Sequence, residues 1–166
     1  LAAFFPGAAA ASAGRIDALL ADPGRFLAEC RPEADNPFAR QLLIGAVLRL
    51  ARQDPEAAAR YWEKGQPQGL SLPEARSVWA EIAAWGARHH LSQAREWFGR
   101  AEPGPLTDLQ LAWQARLALR HEDWAAVKAA VERMSAGAAR EPGWIYWLGR
   151  ALCNLGRGEE GRALWK

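Results

Sequence analysis

Residue types that build disulfide scaffolds, metal centres and nucleic-acid interfaces are scarce in this chain of 166 residues. It has two cysteines, Cys30 and Cys153, which are too few for a disulfide scaffold or a cysteine-built zinc site. The formal net charge is only +2, which argues against a nucleic-acid-binding domain with a strongly basic surface. No apolar run approaches the roughly 20 residues that span a bilayer, so no membrane span is predicted.

Residues that favour strands are scarce as well, because valine, isoleucine and threonine together total only nine. Alanine is abundant, and this balance favours helix over strand along the whole chain. Half of the residues are hydrophobic and 24% are charged, which is typical of a chain that folds around a core. Nine tryptophans either pack between helices or present stacking surfaces.

Helix start signals, in which a short polar side chain caps the first turn, recur along the sequence. The candidate caps are Asp22, Asn36, Asp54, Ser71, Ser92, Thr107 and Asp123. The first three precede a proline, which suits the first helical position, and Ser71 and Thr107 fit capping boxes. Stop signals lie at Gly65, Pro67 and Gly69, at Pro103, Gly104 and Pro105, and at Gly137.

The helices are expected in pairs that recur. First helices begin near residues 36, 72, 107 and 141, and shorter second helices begin near 54, 91, 123 and 158. The first helices are therefore 36, 35 and 34 residues apart, a period typical of stacked helical hairpins. We predict one all-α domain over 1–166, a right-handed superhelix of stacked helical hairpins (an α-solenoid), tetratricopeptide-like, with four hairpins over 36–166.

Each second helix carries a smaller residue followed four positions later by a larger one, so both lie on one helix face. The pairs are Ala58 and Trp62, Ala94 and Phe98, Val127 and Val131, and Gly161 and Trp165. The small residue allows the paired helix to approach, and the large one fills the groove to the next hairpin.

The first 35 residues fit the repeat less well. We expect an irregular beginning, a short helix near residues 15–21 and another near 23–31. The apolar opening Leu1–Gly14 leaves two alternatives open, a signal-peptide remnant or a helix end followed by a loop.

Three stretches resemble the superhelical, ring-forming domain of soluble lytic murein transglycosylases. They are NPFARQLLIGAVLRLARQDPEAAARYW (Asn36–Trp62), HEDWAAVKAAVERM (His121–Met134) and EPGWIYWLGRALCNLGRGEEGRAL (Glu141–Leu164). The family pattern of a "gDW" helix followed by "W.YWl.RAl..lGr" is matched by Asp123, Trp124, Val127, Met134, Trp144, Tyr146, Trp147, Arg150, Ala151, Leu152, Gly156 and Arg157. Glu122 replaces the family's usual Gly, and Gly161 its usual Ala. The resemblance covers residues 36–166, and 15–35 only weakly.

The resemblance implies a periplasmic protein of cell-wall turnover whose parent enzyme cleaves the MurNAc–GlcNAc β-1,4 bond of peptidoglycan, leaves a 1,6-anhydro end and needs no cofactor. Members of the family carry a lysozyme-like catalytic domain with a Glu–Ser motif after the helical ring, and nothing in this sequence resembles that motif. We therefore expect a non-catalytic ring segment, inactive alone, whose partners are its own catalytic domain and glycan strands. The alternative is a tetratricopeptide-like scaffold that binds a protein partner.

Tryptophans are candidate glycan contacts because aromatic faces stack on sugar rings. Five of them fall on predicted packing faces, namely Trp79, Trp85, Trp113, Trp147 and Trp165. Trp97 and Trp144 are less clearly placed, so they are the candidate glycan contacts, with core packing as the alternative.

No catalytic, cofactor-binding or metal-binding residue is predicted. The adjacent His89 and His90 diverge on a helix, and helix C-termini explain both of them and His121. The adjacent carboxylate pairs Glu122–Asp123 and Glu159–Glu160 cannot span a cleft as a glycosidase pair does.

Two further features leave alternatives open. Cys30 and Cys153 lie in distant repeats, which favours two free thiols over a disulfide. Residues 84–166 contain 12 basic and 9 acidic residues, which either gather on a concave face that attracts anionic peptidoglycan or form an ordinary solvated surface.

Overall fold

The structure, a computed structural model, describes residues 6–29, 36–65 and 70–165, and all regular elements in these ranges are α-helices. The helices are α1 (Pro6–Ala21), α2 (Pro23–Glu29), α3 (Pro37–Gln53), α4 (Pro55–Lys64), α5 (Leu72–Arg88), α6 (Ala94–Ala101), α7 (Asp108–Arg120), α8 (Trp124–Glu132), α9 (Ala136–Ala139), α10 (Pro142–Asn154) and α11 (Gly158–Ala163). The predicted all-α fold is confirmed. Within the described ranges, no helix is long and apolar enough to cross a membrane.

The helices pair as hairpins: α3 packs on α4, α5 on α6, α7 on α8, and α10 on α11. All four first helices begin within one residue of the predicted positions. Three second helices also do so, whereas α6 begins at Ala94, three residues later than expected. The first helices α3, α5 and α7 stack on one another in chain order, and α10 packs on α8 of the preceding hairpin.

Six of the seven predicted caps accept a hydrogen bond from a backbone N–H in the first turn. They are Asp22, Asn36, Asp54, Ser71, Thr107 and Asp123. Ser71 and Thr107 form complete capping boxes, because the side chain three residues later accepts from the cap's own N–H at 2.8 and 2.9 Å. Local spacing alone therefore fixes most helix starts.

The cap predicted at Ser92 is wrong. Its hydroxyl donates to the Gln93 side chain, and Gln93, already helical at φ −60° and ψ −21°, precedes α6 without a side-chain cap. Gln93 instead donates to Glu56 of α4 at 2.9 Å. A hydrogen bond between hairpins is thus present at the start of α6, where the sequence predicts a local side-chain cap.

The stop predicted at Gly137 is also wrong, since this residue lies inside the short helix α9. The preceding helix already ends at Glu132, and Ser135 caps α9. Ser135 is held by Asp108 at the start of α7, whose carboxylate accepts from its backbone N–H at 2.7 Å and from its hydroxyl at 2.6 Å.

The N-terminal part is more helical than predicted. Helix α1 begins at Pro6 and continues through the alanine-rich stretch to Ala21, because proline suits a first turn and alanine has the highest helix propensity. The expected irregular beginning is therefore wrong from Pro6 onward, where α1 already starts, whereas the two predicted short helices correspond to the second part of α1 and to α2. A signal-peptide origin of Leu1–Gly14 stays untested. Leu1–Phe5 and Cys30 lie outside the described residues.

The core is formed by buried side chains of both the first and the second helices of the hairpins. One large cluster of buried side chains joins α1 to α7, and two smaller clusters join α7, α8 and α10. The small–large pairs of α4, α6 and α8 are at most 2% exposed, as the sequence predicts.

The fourth pair differs from the others. Gly161 is buried, and a Cβ there would lie 2.5 Å from the carbonyl oxygen of Gly149, which explains why glycine rather than alanine stands at this position. Trp165 contacts Gly149 and stacks on Tyr146, yet 44% of it is exposed, so its predicted packing face is only partly covered.

Candidate functional site

Arginine and tryptophan side chains alternate along the first helices of the four hairpins. The series, called here the Arg–Trp ladder, consists of Arg52, Trp85, Arg88, Trp113, Arg116 and Trp144. It begins on α3, crosses α5 and α7, and ends in the first turn of α10. Every hairpin described by the structure therefore contributes to it.

The distances between guanidinium carbons and ring centroids are those of cation–π contacts. Arg52 Cζ lies 5.7 Å and Arg88 Cζ 4.2 Å from the Trp85 ring. Arg88 Cζ is also 5.3 Å from the Trp113 ring, whose other neighbour is Arg116 Cζ at 4.9 Å. Arg116 Cζ in turn lies 5.1 Å from Trp144. All five distances are within the roughly 6 Å at which a cation is attracted to a ring face.

Helical spacing produces this order. Trp85 and Arg88 are three residues apart on α5, and Trp113 and Arg116 are three apart on α7, so each pair shares one helix face. Because α5 packs against both α3 and α7, the arginine of one helix reaches the ring of the next.

The charges of the ladder have no acidic partner in residues 6–29, 36–65 and 70–165. Arg52, Arg88 and Arg116 are exposed, and within the described part of the chain none of their guanidinium groups forms an ion pair or a side-chain hydrogen bond. A guanidinium stacked on a ring keeps its N–H edge free, and that edge matches the two oxygens of a carboxylate. The ladder thus presents three cationic donors on one surface.

Arg100 provides the contrast. It stacks on Trp79 at 4.8 Å, but its guanidinium also pairs with Glu63 of α4 and Glu96 of its own helix. These partners raise the pKa of Arg100, chiefly through the hydrogen bond to Glu96. Its charge is therefore neutralised within the protein, and it has a structural role.

A groove of about 520 Å³ lies beside the ladder, between α3, α5 and the start of α7. Its lining includes Leu48, Glu81 and Gln110. These residues lie four, four and three positions before Arg52, Trp85 and Trp113, so groove and ladder share one face of the first helices. An elongated ligand that reaches the ladder has room to continue along this face.

A second cleft, of about 210 Å³, lies among α6, α7 and α8. Arg95 and Asp123 line it and form an ion pair of 2.8 Å. Because the cation and the anion satisfy each other, this cleft offers less unpaired charge than the ladder does.

The two predicted glycan contacts lie in different surroundings. Trp97 is 5% exposed and packs on Gly86, outside the ladder. Trp144 is 7% exposed and packs on a core cluster, with Arg116 near its ring. Sugar stacking needs an open ring face, so the burial of both rings argues against direct stacking. Glycan contact by Trp97 or Trp144 stays an untested hypothesis.

The ladder is not among the sequence predictions, although the sequence contains a signal for it. The pattern Trp-x-x-Arg occurs four times, at 85–88, 97–100, 113–116 and 147–150. The copies at 85–88 and 113–116 are ladder members, whereas Arg100 of the copy at 97–100 stacks on Trp79. In the copy at 147–150 no stacking of Arg150 on Trp147 is present in the described residues, and Arg150 instead lies 3.4 Å from the Tyr146 hydroxyl. The motif therefore indicates the ladder without defining its members.

The remaining polar candidates occupy structural positions. His89 and His121 cap the C-termini of α5 and α7. Asp123 caps α8, and the pKa of Glu160, in the first turn of α11, is lowered by its hydrogen bond to Arg157. Cys153 is a free, half-buried thiol. Among the described residues no three His, Cys, Asp or Glu side chains are grouped as a metal site.

Comparison with known proteins gives a match among solved structures. No family model matches the sequence, and no curated protein matches it. Among solved structures, an inactive mutant of the lytic transglycosylase Slt from Pseudomonas aeruginosa aligns over 93% of this chain with a TM-score of 0.75 and 21% sequence identity. The chain spans 25% of the length of that enzyme. At this identity the match establishes the fold, that of the superhelical part of a lytic transglycosylase.

Proposed function

We propose that this chain is a non-catalytic superhelical segment of a periplasmic lytic murein transglycosylase that takes part in cell-wall turnover. The parent enzyme would cleave the MurNAc–GlcNAc β-1,4 bond of peptidoglycan and leave 1,6-anhydro ends. The observation that carries the proposal is the alignment of 93% of the chain with the Slt structure. The motifs of residues 36–166 support it independently of that alignment.

The proposed role of the segment is to shape the ring, to restrict access to glycan ends and to hold the catalytic domain. Four of the carboxylates have structural roles. Asp123 is engaged at a helix cap, Glu160 with Arg157, and Glu63 and Glu96 with Arg100. Glycoside cleavage requires a positioned carboxylic acid, and nothing in the sequence resembles the family's Glu–Ser motif, so the chain by itself is expected to be inactive.

The first test is to sequence the gene beyond the Lys166 codon. We expect further helical repeats and then a lysozyme-like domain with a Glu–Ser motif. A stop codon directly after Lys166 would contradict the proposal.

The second test is biochemical. The purified chain is incubated with peptidoglycan sacculi, and soluble products are analysed by mass spectrometry. We expect no 1,6-anhydro-muropeptides, whereas an active lytic transglycosylase in parallel releases them. Release by the chain alone would refute its non-catalytic assignment.

One observation favours a second function. The groove of about 520 Å³ on the first helices is a surface on which a helical-hairpin array can bind a protein segment. A stop codon after Lys166 would make this interaction scaffold the better description.

A further inference from the structure

We propose that the Arg–Trp ladder binds the carboxylates of the peptide side chains that peptidoglycan strands carry. This inference rests on the proposed function and adds to it a ligand class and the residues that recognise it. The three guanidinium groups of Arg52, Arg88 and Arg116 would each hold a carboxylate oxygen pair through their free N–H edges.

The stacked arginines of this chain differ in whether they have acidic partners. Arg100 stacks on a tryptophan and has two acidic partners, whereas the three ladder arginines stack on tryptophans with no acidic partner among the described residues. Stacking alone therefore does not explain why three successive exposed cations lack carboxylates. An external anion completes the pattern.

Peptide carboxylates fit the ladder better than sugars do. The rings of Trp85 and Trp113 are half-buried and each has two guanidinium groups within 6 Å, and Trp144 is 7% exposed. Uncharged sugars therefore have limited aromatic surface to stack on. The accessible chemistry of the ladder is hydrogen-bond donation by cations, which selects carboxylates over sugar hydroxyls.

The spacing of the arginines suits a peptide. Arg52 and Arg88 both lie near the Trp85 ring, so their guanidinium carbons are no further apart than the sum of 5.7 and 4.2 Å. Arg88 and Arg116 both lie near the Trp113 ring, at 5.3 and 4.9 Å. Each interval is at most about three residues of an extended peptide at roughly 3.3 Å per residue. One carboxylate-bearing peptide that follows the ladder can therefore meet more than one arginine.

The test is a calorimetric titration of the whole chain with a soluble muropeptide that retains its peptide. Arg88→Gln, at the centre of the ladder, is expected to raise the Kd about tenfold, because a charge-assisted bidentate contact is lost. Arg88→Lys keeps the charge but loses the planar fork, so we expect it to restore binding only in part. Binding should also weaken as salt is raised from 50 to 200 mM.

The matched control is Arg100→Gln, which removes a stacked arginine that already has acidic partners. It is expected to leave the Kd unchanged. Circular dichroism and a thermal melt of each variant verify that the helices are intact. If Arg88→Gln and Arg100→Gln weaken binding equally, or neither does, the ladder is not the site.

Two comparison ligands identify the source of the carboxylates. A GlcNAc tetramer, which has no carboxylate, is expected not to bind at the ladder. A hexaglutamate peptide that binds while the muropeptide does not would overturn the inference and indicate an acidic protein partner.

These outcomes separate this inference from the proposed function. A gene that encodes the lysozyme-like domain, together with a muropeptide that fails to bind, would refute the ladder and retain the transglycosylase. A stop codon after Lys166 would refute the transglycosylase whatever the titration shows.

Discussion

Single polar residues join helices that are far apart in sequence. The carboxylate of Asp108, at the start of α7, accepts two hydrogen bonds from Ser135, at the start of α9. These bonds favour the charged form, and the hydroxyl of Ser135 is the largest cause of the lowered pKa of Asp108. Protonation of one exposed side chain therefore weakens the link between α7 and α9.

The pH dependence of stability tests this link. Because the pKa of Asp108 is lower in the folded chain than its usual value of about 4, its contribution is complete above that pH. The contribution is lost as the pH falls through the lower, folded pKa. In thermal melts between pH 7 and pH 2, the melting temperature of Ser135→Ala should fall less steeply toward acid pH than that of the parent chain. An equal fall in melting temperature for the two proteins would contradict this assignment.

At the scale of elements, glycine determines how closely two helices of a hairpin approach. A Cβ on Gly86 of α5 would lie 2.5 Å from the ring of Trp97 in α6. Trp97 is 5% exposed, so protein atoms surround it on nearly every side. The buried tryptophan thus explains why α5 has a glycine in its last turns, although glycine weakens a helix.

Alanine substitutions at three helical glycines should separate packing from helix propensity. Gly86→Ala is expected to lower the free energy of unfolding by about 1–3 kcal/mol through overpacking. Gly149→Ala should cost less, because its neighbour Trp165 is 44% exposed and can move away. Gly99→Ala, with no atom within 4 Å of the new Cβ, should add roughly 0.5–1 kcal/mol.

Urea unfolding of the three variants measures these differences. The order Gly99→Ala, Gly149→Ala, Gly86→Ala, from most to least stable, is the prediction. A Gly86→Ala variant as stable as Gly99→Ala would show that Trp97 repacks freely.

How well the sequence predicts the elements depends on the range of the interactions that form them. Ser71 and Thr107 are recognised as caps because cap and partner are three residues apart. Ser92 and Gly137 are misjudged because their neighbours Gln93 and Ser135 are held by Glu56 and Asp108, which lie 37 and 27 positions away in the sequence. The ladder joins Arg88 of one helix to Trp113 of the next, and helical spacing within one helix does not predict that contact.

For the whole molecule, packing is uneven along the array. The large core cluster reaches from α1 to α7, whereas α10 is held by two smaller clusters with α7 and α8. In a stacked array each hairpin is stabilised chiefly by its neighbours, so opening begins where the interface is smallest.

Hydrogen exchange followed by mass spectrometry tests this gradient. Amides of α10 and α11 should exchange about tenfold faster than those of α5, which corresponds to roughly 1.4 kcal/mol in opening free energy. As an internal control, α7 belongs to both the large and the small clusters and should be intermediate. Uniform protection from α5 to α11 would show a single cooperative unit instead.

The Arg–Trp ladder also bears on how this array can evolve. Repeat arrays commonly gain or lose units because each unit contacts only its neighbours. The second and third hairpins each carry a tryptophan followed three residues later by an arginine, and that arginine also stacks on a ring of the following hairpin. Recombination that deletes or duplicates one of these two hairpins moves both residues together, so it would change the length of the ladder while keeping its alternation of cations and rings.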